Sequence, residues 1–455
     1  MRQTTKHQMI LFICFVVLFG IFTKPYVTSG NSASRFATMQ ALIEENTLSI
    51  DNTMFIGNAQ SFIINQTSPL MRRDSVEGIN GTNDKAFIDG KYYSDKPITL
   101  SLIGAGLYSV LYHFFGLSFN NNGPLVVYIL TFLLAAIPGA LIIIVFYRLL
   151  YYCQMDNNLR FFMSALLGVS TLILPYSTVL NNHIPATLLI GIAILQIFNI
   201  RFLENNKDVR SQFIYLGICL SLTTVIDMVI GGIFMVFTLI YLLCLKSTRN
   251  LVPYFVVALL PAFILHAMFT IPLTGDLKPA SMHPEFWDYP GSGFNVDTLT
   301  GVKIHHASFM DWLMYSFHSL LGYRGLMSYT PLLVIGSFFL IAEIFHRKKY
   351  FAEAMLIGTS SIFVILYYLL TSDNYGGWAY GMRWFVPLVP GIFFFTAFAF
   401  KKTGYEGWKK IGLYATVAWS ILFALVGTYE PWTNMWRTPI SFVNNLYLLL
   451  KELIR

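Results

Sequence analysis

The stretch GPLVVYILTFLLAAIPGALIIIVF, residues 123–146, consists of apolar and small side chains without a single charge. A helix needs about 20 such residues to cross the hydrocarbon core of a bilayer, so the stretch predicts a membrane-spanning helix. Comparable stretches recur along the chain, as in FVVALLPAFILHAMF at 255–269. The sequence therefore predicts an all-α polytopic membrane protein.

Composition supports this fold class and excludes several others. The chain has 455 residues, of which 55% are hydrophobic and 12% charged, whereas a soluble domain is about 45–50% apolar. The four cysteines, Cys14, Cys153, Cys219 and Cys244, lie in or beside apolar stretches and form no CxxC pair, so neither a disulfide framework nor a zinc site is predicted. The net charge of +7 is typical of basic residues that flank membrane helices, and no nucleic-acid partner is predicted.

Apolar stretches predict about eleven spanning helices, at 9–23, 124–147, 161–180, 185–200, 212–230, 231–245, 251–271, 328–345, 351–370, 384–400 and 411–427. The first also fits a signal peptide by length, but it is interpreted as an uncleaved signal anchor because the rest of the chain is membrane-embedded. A further stretch, 98–117, is long enough to cross but contains several Gly and Ser residues. If it does not cross, the short basic loops all lie on the side of the N-terminus, as the positive-inside rule requires. The stretch is therefore predicted to be a juxtamembrane or re-entrant helix on the outer side.

This topology divides the chain into four regions. Residues 1–23 form the anchor, 24–123 an extracytoplasmic loop with juxtamembrane helices, 124–427 the multipass domain with an outer loop at 272–327, and 428–455 an extracytoplasmic tail. Most acidic residues and almost every histidine fall on the outer side of the membrane. The predicted location is the plasma membrane, with any chemistry on its extracytoplasmic face.

The first outer loop opens with a segment of helical periodicity. In SASRFATMQALIEENTLSIDN, residues 32–52, an apolar stripe includes Phe36, Met39 and Leu42. Such a stripe predicts an amphipathic helix that lies on the membrane surface.

The end of the same loop concentrates charge at the entrance of an apolar helix. NDKAFIDGKYYSDKP, residues 83–97, intersperses aspartates with lysines and ends in a proline that forces an extended approach. The segment is typical of a solvated, turn-rich loop. It equally fits an acid and a cation held at the bilayer surface for a lipid-linked phosphate, since lysine binds phosphate as a compact charge.

Four segments follow the first apolar stretch in order, SRF at 34–36, QALIEENTLSID at 40–51, DGKYYSDKP at 89–97 and LSLIGAGLYSVLYHFFGL at 100–117. This order resembles the opening of the GT-C glycosyltransferases, above all the lipid A aminoarabinose transferase type. That family has Asp-Glu-x-Arg-Tyr after its first helix, and Tyr-Phe-Glu-Lys-Pro-Pro before a juxtamembrane helix that ends in Phe-Gly. The matching residues are Arg35, Phe36, Tyr93, Asp95, Lys96, Pro97, Phe115 and Gly116. NNHIPATLL at 181–189 and YGGWAYGMRWFVPLVP at 375–390 are similar to outer segments of the same superfamily.

The resemblance implies a GT-C-like fold and the use of a polyprenyl-phosphate sugar donor. By this resemblance Lys96 contacts the donor phosphate, and Asp95 can serve as a ligand of a divalent metal. Arg35 and Arg383 are the other predicted phosphate-binding cations. Arg383, at the outer mouth of a helix, is equally typical of a snorkelling interface residue.

The family pattern does not supply the catalytic base, because the pattern is broken in this sequence. Ser32 and Ala33 stand in place of the family's Asp-Glu pair, whose Asp is the presumed base. Glycosyl transfer needs a carboxylate that deprotonates the acceptor hydroxyl. The predicted base is therefore Asp51, or else Asp89 or Asp95, unless the protein uses another mechanism or is not a transferase.

Two polar residues are predicted to bind substrate at outer helix ends. His183 lies in NNHIP, where a purely structural hydrogen bond also fits. Asp227 lies near the outer end of an apolar stretch, where a carboxylate is costly unless it is paired or faces a cavity.

The long outer loop adds further candidates in KPASMHPEFWDYPGSGF at 278–294. Trp287 and Tyr289 are predicted to bind a sugar ring, although such side chains are also typical of a membrane interface. His283 and Asp95 are predicted metal ligands, but the spacing in this loop matches no specific template.

The predicted function is transfer of a sugar from a polyprenyl-phosphate donor to a lipid, glycan or protein acceptor on the outer face, with membrane lipids as further partners. A transporter or flippase of a lipid-linked sugar is an alternative. Such a transporter would place polar groups in broken helices near mid-membrane. The apolar stretches of this sequence contain few such groups, namely Asp227, His113 and His266. A catalytically inactive GT-C-like protein also fits the missing Asp-Glu pair.

Overall fold

Helices dominate the part of the chain that the computed structural model describes, residues 2–27, 29–57, 61–64, 76–79, 81–202, 208–401, 406–432 and 438–454. The α-helices, in chain order, are α1 Arg2–Phe22, α2 Gly30–Glu44, α3 Ile98–Phe115, α4 Phe119–Thr131, α5 Ile137–Leu149, α6 Asn157–Val169, α7 Ile173–Tyr176, α8 His183–Phe202, α9 Val209–Ile226, α10 Met228–Cys244, α11 Val252–Thr274, α12 Phe309–Leu320, α13 Leu326–Tyr329, α14 Leu332–Phe345, α15 Phe351–Thr371, α16 Val389–Lys401, α17 Trp408–Gly427 and α18 Ser441–Leu453. The predicted helical membrane fold is confirmed.

Two short antiparallel hairpins in the first loop are not predicted by the apolar periodicity. The first pairs β1 Ser61–Ile64 with β2 Val76–Ile79, and the second pairs β3 Lys85–Ile88 with β4 Lys91–Ser94. The second hairpin leads directly into α3.

Within the described ranges, nine helical segments are long and apolar enough to cross a membrane: Gln3–Phe22, Ile98–Phe115, Phe119–Cys153, His183–Phe202, Val209–Ile226, Arg249–Thr274, Phe351–Thr371, Arg383–Lys401 and Trp408–Gly427. α10 and α14 are apolar but shorter. α3 belongs to the nine by length and composition, so its position outside the bilayer rests on the charge argument and stays a prediction.

The apolar stretch at 161–180 folds as two helices, α6 and α7, instead of one continuous span. Ser170 and Thr171 lie at the interruption, and their hydroxyls donate to carbonyl oxygens four residues earlier, at 2.6 and 2.9 Å. Such bonds compete with the regular helical ladder. Pro175 has no N–H for the next bond of that ladder.

α2 forms where the periodicity predicts a helix, but both of its faces are buried. All residues from Asn31 to Ala41 are buried, and Phe36 packs on Phe119 with the ring centroids 5.6 Å apart. On the polar side, the Ser34 hydroxyl lies 2.6 Å from that of Ser94. The polar side of this helix thus contacts protein instead of water, and its predicted position at the membrane surface stays a prediction.

α9 and α10 meet in a break at Asp227, whereas the apolar pattern places their boundary at 230–231. Gly231 permits the close approach that this break requires, since a Cβ there would lie 2.2 Å from the backbone nitrogen of Thr224. The break leaves Asp227 buried, with 4% of its surface exposed.

The described parts of the short basic loops lie together at one end of the helical bundle. There, Arg148 in the last turn of α5 donates to Gln8 of α1 at 2.9 Å, and Lys401 donates at 2.8 Å to a backbone carbonyl of the turn after α5. α1 runs from this end to the opposite one, where Lys24 donates to the carbonyl oxygen of Thr428 at 2.7 Å. The candidate site described next lies at this second end.

Candidate functional site

Arg35 is carried by α2 into the interior of the protein. Its side chain is 1% exposed and donates to the backbone and side-chain oxygens of Asn31 and, at 3.2 Å, to the side-chain oxygen of Asn182. Its Nε is buried without a hydrogen-bond partner in the described part of the chain. Because a buried charge is costly unless it is fully paired, this guanidinium retains the capacity to bind an anion.

Several other charged groups surround Arg35. Burial, together with the positive charge of Arg383, lowers the pKa of Arg35 to about 10, although the nearby carboxylates of Asp95, Asp84 and Asp227 act in the opposite direction. Arg35 is therefore still charged at neutral pH. Charges from distant parts of the sequence thus share one site.

Lys96 lies between two carboxylates where β4 leads into α3. Its Nζ is 2.6 Å from Asp95 and 2.9 Å from Asp84. The Asp95 carboxylate also lies 3.4 Å from the Ser34 hydroxyl. Burial raises the pKa of Asp95, and the neighbouring Lys96 acts in the opposite direction. The side chains of Lys96 and Asp84 are 16% and 19% exposed, against 3% for Asp95, so a ligand can reach the first two.

A chain of hydrogen bonds links Arg35 to His183 at the start of α8. Asn182 accepts from Arg35 and donates to the Asp227 carboxylate at 2.9 Å. The same Asp227 oxygen lies 2.8 Å from Nδ1 of His183. Nε2 of His183 is buried and has no partner among the described residues. The break between α9 and α10 therefore brings two separately predicted residues, His183 and Asp227, into contact.

Arg383 enters the same region from the segment before α16. Its guanidinium lies over the Trp432 ring, 4.6 Å from the centroid, where the ring face attracts a cation. Its Nε and Nη1 are buried without hydrogen-bond partners in the part of the protein described. Gly376, with a φ of +80°, passes so close that a Cβ there would lie 3.1 Å from the Arg383 side chain.

Asp51 and Asp89, two of the predicted bases, lie at the β3–β4 hairpin, where both take part in its local backbone structure. Asp51 accepts from the backbone N–H of Tyr92 at 3.2 Å and from the Ser49 hydroxyl. Asp89 is exposed and forms the hairpin turn with Gly90, at φ angles of +49° and +81°. Asp-Gly is a favoured pair for a two-residue turn of this kind. Their role as bases stays a prediction.

Trp287 and Tyr289 are buried against the protein. Trp287 is 2% exposed and its ring lies 4.8 Å from that of Phe294. Tyr289 donates to the backbone carbonyl of Lys85 at 3.1 Å, and burial raises its pKa to about 12. Their contact with a sugar stays a prediction.

The two predicted metal ligands, His283 and Asp95, belong to separate groups. His283 lies 3.0 Å from Glu285 through Nδ1 and 3.2 Å from Asp276 through Nε2, whereas Asp95 contacts Lys96. Nowhere in the described ranges do three or more His, Cys, Asp or Glu side chains form a group that could hold a metal ion. The divalent metal stays a prediction from the resemblance.

The architecture is similar to that of a protein of solved structure. No protein-family model and no curated protein sequence matches the chain. The structure is similar to ArnT from Cupriavidus metallidurans, solved both bound to undecaprenyl phosphate and in the apo state, each with a TM-score of 0.51, 12% identity, and coverage of 97% of this chain and 75% of that chain. The chain has a GT-C-like fold. A further match, to the apo form of the oligosaccharyltransferase from Archaeoglobus fulgidus, has a TM-score of 0.45 and 11% identity, and covers 96% of this chain and 56% of that chain.

The GT-C-like fold also positions two site residues that the sequence did not identify as functional. Asp84 precedes β3, and the β3–β4 hairpin returns the chain so that Asp84 meets Lys96. Asn182 connects Arg35 with Asp227. In the sequence, only their nearness to predicted site residues indicates a role. Asp84 belongs to the same charged run as Lys96, and Asn182 precedes His183.

Proposed function

We propose that this protein transfers a glycosyl group from a polyprenyl-phosphate donor to a hydroxyl acceptor, at the end of the bundle that contains Arg35. One observation carries the proposal. Three cations from distant parts of the chain, Arg35, Lys96 and Arg383, belong to one charged site, and two of them have buried nitrogens without partners among the described residues. A phosphate group supplies the acceptor oxygens that such nitrogens require. The GT-C-like fold supports the proposal, because ArnT was solved with undecaprenyl phosphate bound.

A small pocket beside Lys96 lies where the prenyl tail of such a donor would begin. Its lining includes Lys96 and Pro97 at the start of α3, Thr38 of α2, and Phe269 and Leu273 of α11. A phosphate bound at Lys96 would place the first prenyl units against these mainly apolar walls. Burial of apolar surface would then add affinity that the phosphate alone lacks.

The chemistry of transfer explains why fixed cations would matter. The acceptor oxygen attacks the anomeric carbon while the bond from that carbon to the donor phosphate breaks. Negative charge increases on the leaving phosphate, and cations already held in place stabilise it without reorganisation. Asn182 orients Arg35, and the Trp432 ring orients Arg383. We place this reaction on the extracytoplasmic face, with a lipid, a glycan or a protein as acceptor.

Binding of undecaprenyl phosphate to the purified protein tests the proposal. Arg383→Gln should weaken binding about tenfold or more, because a hydrogen bond to a charged group contributes roughly 1.5–3 kcal/mol. Arg249→Gln is the matched control, since Arg249 is exposed in the loop between α10 and α11. Native mass spectrometry or a displacement assay in detergent provides the measurement. Equal affinity of the Arg383→Gln and wild-type proteins, or no binding by the wild type, would refute the proposal.

A further inference from the structure

We infer that His183 is the proton acceptor of the proposed transfer and that Asp227 is its positioning residue. This inference rests on the proposed function and supplies the base that Ser32 and Ala33 cannot provide. It begins from the pairing of His183 and Asp227, which are far apart in sequence and which the break between α9 and α10 brings together.

The hydrogen bond between these residues determines which imidazole nitrogen can take a proton. Nδ1 of His183 lies 2.8 Å from Oδ2 of Asp227, and an ionised carboxylate can only accept hydrogen bonds. Nδ1 therefore carries the hydrogen, and in neutral His183 the free lone pair is on Nε2. That nitrogen is buried and has no partner among the described residues. This is the arrangement in which a carboxylate orients a histidine for general-base catalysis.

The surroundings of Asp227 connect this histidine with the phosphate-binding cations. Asp227 also accepts a hydrogen bond from Asn182 at 2.9 Å, and Asn182 accepts one from Arg35 at 3.2 Å. The proposed base and a proposed phosphate ligand are thus held by one set of hydrogen bonds. The base and the cation that binds the leaving phosphate act on opposite sides of the reacting carbon, so their relative positions must be fixed. The hydrogen bonds through Asn182 and Asp227 fix the positions of Arg35 and His183.

The aspartates predicted as bases have other partners in the structure. Asp51 accepts from the backbone of Tyr92, and Asp89 occupies an exposed turn. Asp95 is held by Lys96 at 2.6 Å, so proton uptake there would remove an ion pair. Of these four residues, only His183 has a buried side-chain acceptor atom without a hydrogen-bond partner among the described residues.

The proposed step is balanced as follows. The acceptor hydroxyl oxygen forms a bond to the anomeric carbon, and the bond between that carbon and the phosphate oxygen breaks. The electron pair of the broken bond leaves with the polyprenyl phosphate. The hydroxyl proton moves to Nε2 of His183, and the resulting imidazolium is stabilised by Asp227 through Nδ1–H.

His183→Asn is a discriminating variant, because an asparagine amide can donate to Asp227 from near the position of Nδ1 but has no counterpart of Nε2. Turnover is measured by mass spectrometry as release of undecaprenyl phosphate from synthetic undecaprenyl-phosphate sugars, in membranes that supply the acceptor. We expect turnover to fall about a hundredfold or more, since general-base catalysis contributes roughly 10²–10⁴-fold. Binding of undecaprenyl phosphate should be unchanged. His113→Asn, at an exposed position of α3, is the control and should behave like the wild type.

Each other outcome has a defined meaning. Turnover by His183→Asn at the wild-type rate would overturn the inference, and Asp→Asn variants at 51, 89 and 95 would then locate the base. If His183→Asn loses both undecaprenyl phosphate binding and turnover, the inference is also overturned, in favour of a ligand-binding role for His183. If the wild type neither binds undecaprenyl phosphate nor releases it from any donor, the proposed function itself fails. Should His183→Asn not fold, His183→Gln, which equally lacks a base, replaces it.

Discussion

Lys96 illustrates how single residues of this site are prepared for a ligand. Two carboxylates hold its Nζ, at 2.6 and 2.9 Å, yet the side chain remains 16% exposed. Because Asp95 is buried and Asp84 is accessible, an incoming phosphate can compete with Asp84 for the lysine while Asp95 keeps it in place. A cation held in this way needs little reorganisation when a phosphate arrives.

Replacing Lys96 should therefore impair turnover more than folding. Lys96→Ala should reduce turnover of an undecaprenyl-phosphate sugar about 10²–10³-fold, because loss of one electrostatic contact to the transition state costs about 2.7–4 kcal/mol. Lys96→Gln should lose a similar amount while retaining a donor for Asp95. Lys91→Ala, on the exposed part of β4, is the control. Wild-type turnover in both Lys96 variants, measured as undecaprenyl phosphate release, would eliminate the phosphate role of this lysine.

At the scale of elements, the break between α9 and α10 determines the position of Asp227. A regular helix through this region would leave the carboxylate on one helical face, whereas the break places it at two helix ends within reach of Asn182 and His183. The break depends on the close approach of Gly231 to the backbone of Thr224. Glycine is suited to such a contact because it has no Cβ.

A pair of neighbouring glycines tests this element. Gly231→Ala should destabilise the protein by about 1–3 kcal/mol, the usual cost of overpacking, because its Cβ would lie 2.2 Å from the Thr224 backbone nitrogen. Gly232→Ala should be neutral or stabilising, since a Cβ there meets nothing within 4 Å and alanine is the better helix former by roughly 1 kcal/mol. Thermal unfolding in detergent compares the two. Equal melting temperatures would show that the close approach at Gly231 is unimportant.

At the scale of the whole molecule, the candidate site and the short basic loops occupy opposite ends of the bundle. Contacts among helix ends and loops connect the basic end, among them Arg201 of α8 at 4.0 Å from Glu353 of α15 and Lys349 at 5.6 Å from the Phe202 ring. Basic loops of membrane proteins are retained in the cytoplasm. The positive-inside rule therefore predicts that the site faces the extracytoplasmic side.

Cysteine labelling in intact cells tests this orientation. In a background without the four native cysteines, Lys91→Cys should react with a membrane-impermeant maleimide, because β4 belongs to the outer loop. Arg210→Cys, at the start of α9, should react only after the membrane is permeabilised. Reaction of Arg210→Cys in intact cells would reverse the orientation of the protein and move the proposed chemistry to the cytoplasmic face.

Part of this architecture and of the site can be predicted from short-range patterns. The apolar stretches predict most of the helices, and the Ser-Arg-Phe and Asp-Lys-Pro segments identify Arg35, Asp95 and Lys96 as members of a site. The helix prediction succeeds because bilayer thickness acts on contiguous residues, whereas the site residues follow from the family resemblance and their roles stay predictions. The split of 161–180 at Ser170 is less accessible to prediction, since side-chain hydroxyls there compete with the helix inside an otherwise apolar stretch.

The sequence by itself determined the helical membrane fold and, through the family resemblance, named Arg35, Lys96 and Arg383 as candidate phosphate-binding cations. Tertiary structure alone decided which partners these residues have. The contacts of Asp84 with Lys96 and of His183 with Asp227 join residues that are separated by hairpins or by whole helices. The physical reason is that a buried polar group must be paired, and its partner is whichever group the packed helices bring within hydrogen-bonding distance.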